Sequence, residues 1–302
     1  MKIYINLIGK SCFMKLSIKE NASLAPFCSM KAGGNAKYIC TPGSIRELKC
    51  LLSLMKEKNE RFMVLGNASN TLFSDEGFDG AVIFTSKING IISEGRTITA
   101  ECGAPLNALS LQAAKNSLGG LEFAYGIPGT VGGGVFMNAG AFGGELCDCF
   151  HTALCFTPDL EEATLTKEEM RFSYRKSILS ENGYILVNAS FLLDEGDGKA
   201  VKSKMDAFMS MRREKQPLEY PSCGSTFKRP KGNFAGHLIE QCDLKGYSIG
   251  GASVSEKHAG FIINKGGAAA NDIIKLIDFV SDTVFEKTGV KLEPEIKIVR
   301  QR

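Results

Sequence analysis

Apolar residues recur along the chain first at helical and then at strand intervals. Ile45, Leu48, Leu51, Leu52 and Met55 return every three to four positions behind Ser44-Ile-Arg-Glu47, whose serine and glutamate have the spacing of a capping box; the pattern predicts a helix over residues 44–58. Phe62-Met-Val-Leu65 then reads as a short buried strand, and Gly66-Asn-Ala-Ser-Asn70 as a loop of turn formers. The same order returns further on. Pro105 opens a helix with Leu106, Leu109 and Ala113 on one side, and Gly119-Gly120 closes it. Glu122-Phe-Ala-Tyr125 leads from there into Gly126-Ile-Pro-Gly-Thr-Val-Gly-Gly-Gly-Val135, ten residues without a charge.

Residues 201–213 predict a helix halted before Pro217, followed by a loop bracketed by Pro221 and Pro230. Residues 272–286 place Ile273, Ile274, Ile277, Val280 and Val284 on one stripe that ends at Gly289. Beyond it Val290, Leu292, Ile296 and Ile298 alternate with Lys291, Glu293, Glu295 and Lys297, the pattern of a strand with one solvated face; Pro294 marks it as an edge. These elements amount to a mixed α/β or α+β chain with a boundary near residue 200.

A length of 302 residues suggests two domains, or one large fold with a smaller partner. A net charge of +3, with no Lys/Arg run interleaved with aromatics, argues against a nucleic-acid partner. The apolar runs fall short of the roughly 20 residues that cross a bilayer, so no membrane partner is expected. Residues 1–10 lack a small-x-small cleavage site and read as a short strand or a loose extension. Ten scattered cysteines in such a chain fit reduced thiols in the cytoplasm better than a disulfide framework. Cys147-Asp-Cys149 beside His151 lacks the second ligand pair of a structural zinc site; small buried residues in a strand are expected there, and no metal.

The glycine loops carry the candidate chemistry. Glycine lets the backbone take positive φ and lets a ligand touch main-chain N–H groups, which turned inward form a nest for phosphate oxygens. Neither the Gly-x-x-x-x-Gly-Lys-Ser/Thr spacing nor a Gly-x-Gly-x-x-Gly opening a helix after a first strand is present, which excludes a Walker ATPase and a Rossmann dehydrogenase. Spacing alone leaves two readings of the loops, tight turns or a two-sided clasp for one pyrophosphate.

Longer strings narrow that choice. Leu65-Gly-Asn-Ala-Ser-Asn-Thr-Leu-Phe-Ser-Asp-Glu-Gly-Phe-Asp-Gly80, Gly126-Ile-Pro-Gly-Thr-Val-Gly-Gly133, Met137-Asn-Ala-Gly-Ala-Phe-Gly143, Ser173-Tyr-Arg-Lys-Ser177, Cys223-Gly-Ser-Thr-Phe-Lys-Arg-Pro230 and Leu292-Glu-Pro-Glu295 occur in that order. Together they resemble the UDP-N-acetylenolpyruvoylglucosamine reductase family, flavoenzymes of peptidoglycan precursor synthesis. The resemblance implies an α+β fold: an FAD-binding fold of the PCMH/vanillyl-alcohol-oxidase type in two subdomains, plus a C-terminal α/β substrate-binding domain. The implied division is an extension over residues 1–20, subdomains over 21–85 and 86–198, and a substrate domain over 199–302.

The resemblance further implies non-covalent FAD, with NADPH as hydride-donating co-substrate. FAD would be held by Gly66, Asn67, Ala68, Ser69, Asn70 and Thr71, by Gly126, Ile127, Pro128, Gly129, Thr130, Gly132 and Gly133, and by Asn138, Ala139 and Gly140. The histidines, at 151, 237 and 258, lie away from the first loop, in keeping with a dissociable cofactor. The implied reaction sends hydride from the reduced flavin to C3 of the enolpyruvyl group of UDP-N-acetylglucosamine enolpyruvate, and a proton to C2. Such a site must stabilise an enolate-like anion and deliver a proton.

By the same resemblance Ser225 is the proton donor, Arg175 the cation beside the enolate carboxylate, and Glu295 a supporting acid. Lys215, Arg229 and His258 are the implied substrate contacts, and a monomer is expected. Read without it, Ser225 is a loop serine, Arg175 belongs to a solvated helix face and Glu295 is an exposed strand residue. Two positions depart from the family pattern. Ala68 replaces a glycine, which would strain a positive-φ turn, and Gly134 stands where alanine is commoner. No tyrosine-bearing insertion lies between Val187 and Lys202, which places the chain with the shorter, type II branch.

Overall fold

The structure, a computed structural model, describes residues 2–7 and 10–301, with side chains from Leu16 onward. Of the extension expected over residues 1–20, residues 1, 8 and 9 lie outside the described residues; Lys2–Leu7 and Lys10–Ser23 pair as antiparallel strands. The helix expected over 44–58 forms at Ile45–Glu57. Ser44 Oγ accepts the Glu47 N–H at 3.2 Å, and the Glu47 carboxylate accepts the N–H of Gly43 at 2.7 Å, so the capping box closes one residue early. Phe62–Leu65 follows as a strand, parallel to Phe78–Phe84.

The chain forms two compact units that interleave in sequence. One comprises residues 1–20, 38–67 and 80–211, the other 21–37, 68–79 and 212–302. The reason lies in the cores: the short segments 21–37 and 68–79 contribute Met30, Ala32 and Leu72 to the apolar cluster built mainly from residues 223–296.

In the first unit an antiparallel sheet runs in the order Glu162–Thr166, Phe150–Phe156, Ile185–Leu192, Thr97–Glu101, Ile91–Glu94. The helix Leu106–Lys115 opens behind Pro105 as expected, and the short helix Val131–Phe136 packs against Ile185–Leu192. Cys147 and Cys149 are not in a strand, as the sequence suggested. Leu146–Cys149 is a helical turn in which Asp148 accepts the Glu145 N–H at 2.8 Å, a cap that takes precedence over extension. The nine described cysteines are free, and burial pushes the Cys40, Cys149, Cys155 and Cys223 thiols up to about 12, leaving them protonated.

In the second unit the helix Ala270–Thr288 buries Ile273, Ile274, Ile277, Val280 and Val284, the predicted stripe, and ends at Gly289 with φ +72°. It packs against the antiparallel strands Ser248–Ile249, Ala252–Val254 and Ile262–Asn264. The long alternating strand expected after Val290 is the clearest correction. Only Lys297–Val299 is a strand, parallel to Thr71–Phe73, and Pro294, with no N–H to donate, makes a single bridge to Phe227. Leu292 and Ile296 are buried as the alternation requires, but Glu295 is half-buried rather than exposed.

The N-terminus of Ala270–Thr288 is capped from far along the sequence. Asp75 accepts the N–H of Ala270 at 2.8 Å and of Asn271 at 2.9 Å, two charge-assisted bonds that satisfy first-turn donors where Ala269 offers no side chain. Asp75→Ala is expected to lower stability by about 1–2 kcal/mol, read as a shift of the urea midpoint. An unchanged midpoint would show the cap to be energetically idle.

Candidate active site

The two glycine loops meet. Asn67 Nδ2 donates to the Pro128 carbonyl at 3.1 Å, and a Cβ built on Gly66 would lie 2.0 Å from Thr130 Oγ1, so only a residue without a side chain lets the first loop, after the strand Phe62–Leu65, close on the second, after the 3-10 turn Glu122–Ala124. Thr130 is 1% exposed and caps the helix Val131–Phe136, its Oγ1 accepting the Gly133 N–H at 3.4 Å. Gly126 takes φ +89°, and Gly132 lies so close to Cys102 O that a Cβ would come within 2.9 Å of it. The N–H groups of Asn67, Gly129 and Thr130 enter no hydrogen bond among the described residues, which leaves main-chain donors for an anionic ligand. Gly133 is exposed, and a Cβ there would find its nearest neighbour at 3.8 Å. Uncharged, donor-bearing and open over Gly133, these loops fit a ligand held by dipoles.

Ala68 adopts φ +45° and is 5% exposed. A side chain in this left-handed region is strained, so Ala68→Gly is expected to raise stability by roughly 0.5–1 kcal/mol once glycine's greater unfolded entropy is deducted. A lowered thermal midpoint would contradict the strain. Gly134, the other departure, is buried beneath Leu146 and Leu106, whose methyls would lie 2.8 and 3.1 Å from an added Cβ. Glycine there matches the packing above it.

Ser225 and Glu295 come onto neighbouring backbone in the second unit. Gly224 takes φ +73°, Ser225 is exposed and Thr226 is 3% exposed. Thr226 fixes the segment at three points. Its N–H donates to Gly260 O at 2.8 Å, its Oγ1 accepts the Ile262 N–H at 3.0 Å, and its carbonyl accepts the Glu295 N–H at 2.8 Å. Glu295 O in turn accepts Asn70 Nδ2 at 3.0 Å, and Asn70 O accepts the Lys297 N–H at 3.0 Å. Thr226 cannot be read as this hub from local pattern, because its role depends on partners some 35 and 70 residues away. Asn70, assigned to the cofactor loop, spends its amide on the glutamate's backbone.

Arg175 belongs to the first unit. It stands not on a helix face but at a two-residue corner closed by reciprocal bonds between Ser173 and Lys176, with φ +59°; its Nη2 donates to Gly140 O at 3.2 Å. Its guanidinium lies 4.9 Å from the Tyr174 ring centroid. Asn138 has φ +45° and is 1% exposed. Its side chain is committed within the protein, donating to Glu145 Oε2 at 2.7 Å and to Ser173 O at 3.3 Å and accepting the Cys147 N–H at 3.0 Å. Glu145, Cys147 and Asp148 also bring one ligand atom each within 4.8 Å of one another. Two of those groups are engaged in the fold, through the Asn138 bond and the helix cap.

The expected substrate contacts are uneven. Lys215 is exposed at the end of the helix Gly198–Lys215. Arg229 is exposed and lies 4.0 Å from the Phe234 ring centroid. His258 is half-buried, its ring edge-on to Phe261 and its Nδ1 accepting the Gly260 N–H at 3.1 Å. Burial pushes the His258 imidazole below its ordinary value, so at neutral pH the ring is uncharged, with Nδ1 accepting and Nε2 carrying the proton. Asn264 is wholly structural, donating to Met30 O and accepting from Gly266 and Ala268.

Comparison with known proteins finds family matches over two stretches of the chain. Residues 36–164 match an FAD binding domain model, and residues 216–299 match the model described as UDP-N-acetylenolpyruvoylglucosamine reductase, C-terminal domain. A UDP-N-acetylenolpyruvoylglucosamine reductase of Caldicellulosiruptor bescii is 50% identical over 91% of this chain and 88% of its own length. That of Latilactobacillus sakei is 46% identical over 95% of each. The crystal structure of the Thermus caldophilus reductase superposes with a TM-score of 0.80 at 32% identity, covering 95% of this chain and all of that one.

Proposed function

The chain belongs to the UDP-N-acetylenolpyruvoylglucosamine reductase family, and from that premise we propose the parts its residues play. The activity is the NADPH-dependent reduction of UDP-N-acetylglucosamine enolpyruvate to UDP-N-acetylmuramate, a step of peptidoglycan precursor synthesis, with FAD as cofactor. The fold is mixed helix and strand, an FAD-binding domain followed by the reductase C-terminal domain.

When bound, FAD supplies hydride transfer from NADPH to C3 of the alkene. The residues that would hold it are Gly66–Thr71, 126–133 and the backbone of 138–140, where the unspent N–H groups of Asn67, Gly129 and Thr130 would be donors for its pyrophosphate. Asn138 contributes through its main chain, since its amide is engaged elsewhere. Arg175 is the cation for the substrate carboxylate. A fixed, always-charged fork stabilises negative charge there without a proton of its own to lose. Ser225 Oγ gives its proton to C2, and Glu295, held on the adjacent segment, supports the developing anion or the serine. Lys215, Arg229 and His258 contact the sugar nucleotide.

The observation that carries this reading is the pairing of the Ser225 segment with Glu295 through Thr226, which gives an exposed hydroxyl and a half-buried carboxyl a shared, rigid support. We further propose a monomer in the cytoplasm; among the described residues no helix is long and apolar enough to cross a membrane. The purified protein should be yellow and should consume NADPH in proportion to added UDP-N-acetylglucosamine enolpyruvate. An FAD oxidase of small alcohols, or a silent binder of nucleotide sugars, would show no such stoichiometry.

A further inference from the structure

Arg175 is held at φ +59°, a conformation that costs a non-glycine residue free energy and persists only where surrounding bonds enforce it. Besides the reciprocal Ser173–Lys176 bonds that close the corner, bonds to it come from the end of the helix Val131–Phe136 and the residues just beyond it. Asn138, two residues past Phe136, donates to the carbonyl of Ser173 on one side of the corner. Ser177, on the other side and 1% exposed, donates from Oγ to Phe136 O at 2.8 Å. The guanidinium itself rests on Gly140 O. Gly140 has no room for a side chain, because a Cβ there would meet Gly144 O at 2.7 Å and Glu145 Cβ at 2.8 Å. Glu145 in turn fixes the Asn138 amide, accepting its other hydrogen at 2.7 Å.

We propose that Asn138 and Ser177 are positioning residues that fasten both ends of the Arg175 corner to the Val131–Phe136 helix, so that the arginine's head keeps a set place relative to the glycine loop. Neither side chain needs to touch cofactor or substrate for this. The distance from loop to guanidinium is set by a short relay of bonds: Thr130 caps the helix, the helix ends at Phe136, Phe136 and Asn138 hold the corner, and Gly140 receives the head. A guanidinium that must meet a carboxylate in one geometry loses much of its effect when misplaced by about an ångström.

The inference rests on reading Arg175 as the substrate's cation, and the test separates the two. In Ser177→Ala, which removes only the bond to Phe136 O, the flavin absorbance and the rate of flavin reduction by NADPH are expected to stay near wild type. The rate at which UDP-N-acetylglucosamine enolpyruvate reoxidises the reduced protein is expected to fall about tenfold or more. Asn138→Ala, which removes the bonds to Ser173 O and Glu145, is expected to slow reoxidation by a similar factor or more.

The deciding measurement is a double-mutant cycle. In an Arg175→Lys background, which keeps charge but not the planar fork, neither substitution should slow reoxidation further. A merely structural role would instead lower the rate by the same factor in both backgrounds, and that outcome overturns the proposal. So does loss of FAD from Ser177→Ala, which would tie the corner to the cofactor rather than to the arginine, or an unchanged reoxidation rate in both variants. If Arg175→Ala itself reoxidises at the wild-type rate, the catalytic reading of the arginine fails, and this inference with it. A slow Arg175→Ala protein with additive Asn138→Ala and Ser177→Ala effects removes the positioning role alone.

Discussion

Ser225→Ala is expected to keep its flavin, to be reduced by NADPH at the wild-type rate, and to turn over UDP-N-acetylglucosamine enolpyruvate roughly 10²- to 10⁴-fold more slowly, the span that a positioned general acid contributes. The two half-reactions make different demands. Delivery of hydride to the flavin asks nothing of a hydroxyl on the C-terminal segment, whereas protonation of C2 needs a donor at that carbon. Stability should hold, because Ser225 is exposed and its neighbour Thr226 carries the bonds that fix the loop. An intact urea midpoint with a collapsed second half-reaction therefore isolates the proton transfer. Normal turnover in this variant takes the serine out of the mechanism and leaves Glu295 as the remaining donor on the paired segment.

How much of this was legible beforehand depends on whether the deciding interactions are local. The helices at Ile45–Glu57, Leu106–Lys115 and Ala270–Thr288 were readable because their caps and apolar stripes lie within a few residues of one another. Residues 290–298 carry a strand's alternation as clearly as any stretch of the chain, yet only Lys297–Val299 pairs, because a strand needs a partner and the partner, Thr71–Phe73, is distant in sequence. Glu295, which the alternation places on the solvated face, is half-buried instead, and the residues that bond its backbone, Thr226 and Asn70, are not its neighbours along the chain. The motif letters at 138 and 175 were readable as candidates, but not that Asn138 would spend both amide hydrogens on protein oxygens, nor that Arg175 would sit at a strained corner rather than on a helix. Ala68 is the instructive exception. Its departure from glycine was visible in the sequence, and the positive φ it was expected to strain is present.

Gly133→Val is expected to fold as stably as the parent and to lose FAD by about a hundredfold in affinity, close to 3 kcal/mol. The argument rests on a contrast between neighbouring glycines. At Gly66 an added Cβ collides with Thr130 at 2.0 Å, and at Gly132 with the Cys102 carbonyl at 2.9 Å, so substitution at either disturbs the protein whatever it binds. At Gly133 the protein offers no obstacle nearer than 3.8 Å, the residue is exposed, and it lies in the helix Val131–Phe136, where valine is intrinsically no worse than glycine. With room for the Cβ and the residue exposed, the added side chain is expected to be felt chiefly by something lying against the main chain from outside. An apoprotein with an unshifted thermal midpoint but no flavin absorbance at stoichiometric FAD would mean that the cofactor covers this turn. A Gly133→Val protein that purifies fully yellow would mean that FAD does not touch the segment, and the role of the second glycine loop would reduce to letting backbone pack on backbone at Gly66 and Gly132.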